Sequence, residues 1–300
     1  STQMTDKRRL GILVSDGVYQ LSYETTNLKA LQGGRGHDTF NMNGTAPANV
    51  YGRAGNDTFN INGSIAANLY GEAGDDRFVQ NDNSSLTGSI DGGTGLDTLD
   101  FSNSSRTRNI TVTAATEDGF SGQQNSISQG FANINVLIGS SANNDTFTGP
   151  NTDSVYTLDD YITLEAYGFI LSFIGYENLL GGNADDIFRF TGSSEFKGTL
   201  GGGAGIDTLD YSAYNSSVRV DLGTGAGTAI NSDKNGSISG IENVIGSSFG
   251  NTLIGNNSDN VLVGGTGDDV IRGAGGNDLL IGGGGNDILD GGTGIDTVDY

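Results

Sequence analysis

From Gly246 the chain divides without a gap into six nine-residue units: "GSSFGNTLI", "GNNSDNVLV", "GGTGDDVIR", "GAGGNDLLI", "GGGGNDILD" and "GGTGIDTVD". The sixth place reads Asn251, Asn260, Asp269, Asp278, Asp287 and Asp296, and the eighth reads Leu253, Leu262, Ile271, Leu280, Leu289 and Val298. So short a period leaves room for one turn and one very short strand per unit. Glycine costs about 1 kcal/mol per helical site relative to alanine, and the apolar residues show no 3.6 period, which removes helix as the main element. Stacking is what remains, because copies of so small a unit bury a continuous core only against their neighbours.

Longer units precede the array. "GGRGHDTFNMNGTAPANVY" at 33–51 aligns without gaps on "GRAGNDTFNINGSIAANLY" at 52–70, about two nonapeptides in which the second half has lost its acid. "GEAGDDRFV" at 71, "GGTGLDTLD" at 92, "GGNADDIFR" at 181 and "GGAGIDTLD" at 202 are further copies. A larger repeat overlies these: the copies at 92 and 202 lead through arms to "GFANINVLIGSS" and "GIENVIGSS". "NITVTAAT" and "SVRVDLGTG" in the arms alternate as short strands do. The expected organisation is a lead-in or cap at 1–32, one-sided solenoid coils at 33–100, an arm and insertion at 101–180, isolated repeats with a second arm at 181–245, and the contiguous array at 246–300. The stretch 151–172 fits no repeat and is expected to be irregular or to form further strand pairs. The last residues begin the arm motif again and stop, so the chain is expected to be a piece of a longer protein.

The net charge of −22, from 36 acidic and 14 basic residues, repels itself in a compact state unless cations neutralise it. It argues against nucleic acid, whose phosphates need a basic face. The acids recur singly or in pairs at fixed phase, whereas a solvated acidic tail carries them in blocks. With no cysteine the fold needs neither disulfides nor a thiolate metal site. "STQMTDKRRLG" lacks the apolar segment of a signal peptide, "KRR" at 7–9 reads as a solvated end, and "LEAYGFILSFIGY" is too short and interrupted to span a bilayer.

A turn that aims several carbonyls at one spot needs dihedrals that glycine tolerates. A hard dication such as calcium takes six to eight oxygens at roughly 2.3–2.6 Å, from carboxylates and carbonyls together. Glycines and a phased acid are the composition such a turn requires. The eighth residue then points inward from a short strand, and two nonapeptides complete a coil, so turns n and n+2 share an edge about 4.8 Å apart.

The array resembles the RTX (repeats-in-toxin) family, whose pattern is G-G-x-G-x-D-x-U-x with U a large apolar residue; the last four units match it almost fully. The resemblance implies an all-β chain folded as a right-handed parallel β-roll or β-solenoid, with rows of calcium ions along its edges. Asp269 and Asp287 would serve one row, Asp278 and Asp296 the other. Asn251 and Asn260 depart from the pattern, offering at most a neutral oxygen, so the first two turns are expected to bind weakly or not at all. A one-sided row using Asp38, Asp57, Asp76 and Asp97 is implied for the longer coils, and Asp186 and Asp207 are candidates in the isolated copies. On the other edge of the longer coils Asn49 and Asn68 fall in register as an amide ladder. Phe40, Phe59 and Phe78 are expected to stack in the core. Asp145, in the irregular "SSANNDTF", is left open between ligand and solvated acid.

Catalytic readings are weaker. Adjacent acids such as Asp75–Asp76, Asp185–Asp186 and Asp268–Asp269 could suggest acid–base work, yet neighbours in a turn are usually one ligand and one solvated group. One histidine, His37 at a variable turn place, and no cysteine leave little material for nucleophilic triads. No glycine cluster has the ending of a phosphate loop. The expected function is a non-enzymatic, calcium-binding structural module of a secreted or cell-surface bacterial protein, exported unfolded by type I secretion and folding outside the cell. The alternatives are an accessory module of a polysaccharide-active enzyme and an adhesive face for glycan or ice, carried by Thr39/Thr58, Asn41/Asn60 and Asn43/Asn62. Self-assembly of neighbouring chains stays open.

Overall fold

A computed structural model of the chain describes residues 10–15, 18–23, 30–43, 49–159, 161–230 and 237–300. The "KRR" run and parts of the 1–32 lead-in lie outside them. Every regular element among the described residues is a β-strand, most of three to six residues and most paired in parallel. Contacts divide the chain into two compact units, Ser1–Thr146 with Phe169–Tyr176, and Phe147–Gly168 with Glu177–Tyr300.

In the first unit Val18–Tyr23, Thr39–Met42, Thr58–Ile61, Arg77–Gln80, Thr98–Asp100, Val136–Ile138 and Phe169–Ile174 pair in parallel, each with the next. A second parallel series runs Ala30–Gln32, Asn49–Ala54, Leu69–Ala73, Ile90–Thr94 and Ile127–Ile134. Alternation fixes which side chains turn inward: Phe40, Phe59 and Phe78 lie directly above one another, buried, with ring centroids 4.8 and 4.6 Å apart. The expected aromatic column is therefore present, and Leu99 and Leu137 continue it. The arm forms an antiparallel sheet of Ile110–Ala115, Phe120–Gln124 and Ile127–Ile134.

In the second unit Ser154–Leu158 pairs antiparallel with Ile162–Ala166, so the unmatched stretch supplies strand pairs. Ser154–Leu158 also opens a parallel series through Asp186–Gly192, Thr208–Tyr214, Asn243–Ile245, Val261–Gly265, Leu279–Gly283 and Thr297–Asp299. Arg219–Asp221, Thr252–Ile254, Val270–Gly275 and Ile288–Thr293 make another. Leu253 faces Ile271 and Leu262 faces Leu280, which is the n, n+2 register that two nonapeptides per coil demand. Leu253, Leu262, Ile271 and Leu280 are fully buried. Leu289 is only half-buried and Val298 is 39% exposed, against the expectation of a uniformly buried column.

Candidate metal-binding turns

Most of the acidic turns are built the same way; the exceptions are the turn of Asp186, with Ala184 in the fourth place, and those of Asp38 and Asp269, whose Gly36 and Gly267 are not left-handed. The first glycine is needed for space: a methyl group on Gly52 would sit 2.2 Å from Asp57 Oδ2 and 2.8 Å from Gly71 O. The fourth is needed for its dihedral, with φ from +109° to +137° at Gly55, Gly74, Gly95, Gly205, Gly276, Gly285 and Gly294. The unusual dihedral is the reason expected from the sequence; the close approach of Oδ2 and a carbonyl is visible only in the fold.

The sixth-place carboxylate has two unlike oxygens, except at Asp186, where both are buried without a hydrogen-bond partner. Oδ1 accepts the backbone N–H of the corresponding residue one coil earlier, from Asp38 to Asp57 (2.7 Å), Asp57 to Asp76 (2.7 Å) and Asp76 to Asp97 (2.8 Å). The same bond links Asp186 to Asp207 (2.8 Å), Asp269 to Asp287 (2.9 Å) and Asp278 to Asp296 (3.1 Å). Oδ2 turns toward the first glycine of its own unit and the carbonyl of the matching residue one coil on. Methyl groups on Gly71, Gly181, Gly264 and Gly273 would meet both oxygens within 2.1–2.6 Å. At Asp57, Asp76, Asp97, Asp186, Asp207, Asp269 and Asp278, Oδ2 is buried and has no hydrogen-bond partner.

Such a carboxylate holds its proton more tightly than a solvated one does. Burial pushes Asp76 up to about 7, opposed by the hydrogen bond from Asp57 and reinforced by the charges of Asp97, Asp57 and Asp75. Burial likewise raises Asp97 and Asp186 to about 7, and Asp57 and Asp207 to about 6. Asp269 and Asp278 are raised for the same first reason. Either a proton or a cation can relieve an acceptor facing another acceptor in a buried gap. All the donors present are hard oxygens, which fits calcium. Among the described residues no three His, Cys, Asp or Glu side chains converge, so the remaining oxygens of any such site come from backbone carbonyls, amide or hydroxyl side chains, or water.

Asp38 differs in that its Oδ2 accepts from Gly34 N at 2.5 Å, and Asp287 and Asp296 are half-buried on the last coil. Asp145 is neither solvated nor orphaned: it accepts from Arg108 N (2.6 Å), Ser140 N (2.5 Å) and Ser140 Oγ (3.0 Å). Two row members went unnoticed in the sequence. Asn135 Oδ1 accepts from Asp97 N at 2.9 Å, and Glu242 Oε2 accepts from Asp207 N at 2.9 Å. Both stand two residues before an inward apolar residue, Leu137 or Val244, as aspartate does in the nonapeptide. That spacing was the available signal. On the opposite edge of the first unit Asn49 Oδ1 accepts from Asn68 N (3.2 Å) and Asn68 Oδ1 from Ser89 N (3.0 Å). The ladder there is thus side chain to backbone. Amide-to-amide ladders run instead through Asn41 and Asn60 (2.8 Å) and through Asn43 and Asn62 (2.8 Å), the latter extended by Asn81.

Residues 239–271 and 263–298 each match the family model described as the RTX calcium-binding nonapeptide repeat (4 copies). Residues 239–298 carry RTX repeats. The RTX match implies calcium binding and coincides with the strands in which the n, n+2 register is strictest. No curated relative matches the chain. Among the described residues no helix is long and apolar enough to cross a membrane.

Proposed function

We propose that the chain is a calcium-binding structural module of a large secreted or cell-surface bacterial protein, its coils closing as a right-handed parallel β-roll when cations bridge successive turns. The observation that carries this is the row of buried, donor-less Oδ2 atoms, each facing a backbone carbonyl of the next coil, from glycine in every case but Asp97, which faces Asn133 O. Asp57, Asp76, Asp97, Asp186, Asp207, Asp269 and Asp278 supply the principal oxygens in this reading, with Asp38, Asp287 and Asp296 at the ends of their rows. Calcium bound to the folded chain but not to the unfolded one adds its binding free energy to stability. Low calcium inside a cell and high calcium outside then confine folding to the exterior, which suits export of an unfolded chain by type I secretion. The role is structural; no catalytic step is assigned to these residues.

Calorimetric titration of the chelator-treated protein with calcium, followed by circular dichroism, tests the reading. The expected result is uptake of several ions with a rise in β signal and little response to magnesium, whose octahedral shell fits these turns poorly. A chelated chain as ordered and as heat-resistant as the calcium-loaded one overturns it. A second reading, an adhesive face for glycans, is favoured by the regular side-chain ladders of Asn41/Asn60 and Asn43/Asn62/Asn81. Attachment to a polysaccharide-active enzyme remains compatible with a purely structural role for these residues.

A further inference from the structure

Asn251 occupies the sixth place of the first nonapeptide and is 2% exposed. Its side-chain oxygen accepts from Val218 N (3.0 Å) and Ser247 Oγ (2.9 Å), and these two donors fix which way the amide points. The amide nitrogen is thereby aimed into the gap that the acidic turns leave between oxygens. It lies 3.1 Å from Ser247 O, 2.5 Å from Phe249 O, 3.0 Å from Gly264 O and 3.0 Å from Asp269 Oδ1. Four oxygens from two successive coils surround one nitrogen that carries only two hydrogens, so the bonds are shared among them. An N–H donor in low-dielectric surroundings supplies the positive partial charge these oxygens would otherwise demand of an ion.

Asn260, the same residue at the same place in the next unit, is arranged the other way. Its Oδ1 accepts from Asn256 N at 2.9 Å and its nitrogen donates outward to Glu242 O at 2.9 Å. A methyl group on Gly255 would meet Asn260 Oδ1 at 2.4 Å and Gly273 O at 2.3 Å, so this turn keeps acceptor facing acceptor as the aspartate turns do. The expectation that both asparagine turns behave alike is therefore replaced by a split between them.

We infer that the Asn251 amide stands in for the bridging cation at the head of its row, so that the coil beginning at Gly246 docks on the coil beginning at Gly264 without metal and gives the array a calcium-independent starting point. The inference rests on the calcium reading of the other turns. Replacing Asn251 by aspartate puts a carboxylate oxygen where the nitrogen now sits, facing three carbonyls and Asp269, and so converts a closed gap into one that needs an ion.

The test pairs calcium titration of wild type and Asn251→Asp with hydrogen exchange of both proteins in chelator and in calcium. In wild type the exchange of Thr252–Ile254 should change less than twofold on adding calcium, while that of Ile288–Thr293 slows more than tenfold. The variant should bind one more calcium ion than wild type, and its Thr252–Ile254 exchange should become at least tenfold calcium-sensitive. Equal stoichiometry in the two proteins overturns the inference. If the variant does not fold, the wild-type exchange decides alone: a tenfold calcium response at Thr252–Ile254 overturns it. A wild type that takes up no calcium instead overturns the reading of the aspartate turns, a separate result.

Discussion

The stack at 33–100 and the array at 246–299 share one turn and differ in what fills the coil behind it. The array advances 18 residues per coil, with inward Leu, Ile and Val and turns on both edges. The stack advances 19 to 21 residues, encloses stacked phenylalanines, and gives the turn to one edge only. Its other edge is held by Asn49 and Asn68, whose oxygens already receive backbone N–H groups. A thick apolar filling and a neutral edge let the stack order with fewer ions. The array has a thinner filling and carries charge on two edges, so more of its cohesion falls to the cation.

Removing the filling should break that contrast most strongly. Phe59 is fully buried between two rings, and Phe59→Ala should cost about 3–5 kcal/mol of stability. The loss should be measurable by denaturant unfolding in calcium. In chelator the variant stack should become as calcium-dependent as the array, read by protease resistance of 49–100. A variant that keeps wild-type resistance in chelator would show that the aromatic column is not what distinguishes the two regions.

A smaller effect, with opposite signs in the two states, is expected at Asp76. In Asp76→Asn the amide can keep an oxygen for Asp57 N and turn its nitrogen toward Gly92 O, the arrangement Asn251 already shows. Without calcium this satisfies a buried orphan acceptor and should stabilise the stack by roughly 1–3 kcal/mol. With calcium it removes a ligand and should lower both the ion count and the melting temperature. Melting curves of both proteins in both conditions should therefore cross; destabilisation in both conditions would mean that Asp76 serves only through its Asp57 bond.

Much of this is legible in the sequence. Period, phase and the inward apolar place determined the parallel strands, the aromatic column at Phe40, Phe59 and Phe78, and the alignment of Asp269 with Asp287. These are consequences of backbone geometry, which a strict repeat transmits directly. What escaped was decided by side-chain orientation or by irregular stretches. Nothing in the letters separates Asn251 from Asn260, because the difference lies in Val218 and Ser247, which reach Asn251 alone. Glu242 and Asn135 were hidden because their closing phrases lack the glycine turn that marks the repeat. Asp145 escaped because Arg108 N reaches it from the arm and Ser140 closes on it from five residues away.

The smallest effect expected is also the one that sharpens the comparison without any mutation. In the folded stack Asp76 and Asp97 titrate near 7 and Asp57 near 6, against an ordinary value of 3.8. A raised folded value means that the folded chain holds the proton more tightly than the unfolded chain. The stability this brings is complete below about pH 4 and is lost as pH rises through 6 and 7. In chelator the melting temperature of the stack should thus fall between pH 5 and 8. In calcium the ion displaces the proton of the same carboxylates into solvent, so affinity should strengthen over the same interval and the gap between the two melting curves should widen. The array carries the same sign at Asp269 and Asp278, and should follow in direction. A chelated stack that instead grows more stable from pH 5 to 8 would mean that its carboxylates are charged and satisfied without metal, and the contrast between filling and ion would then have to be drawn on packing alone.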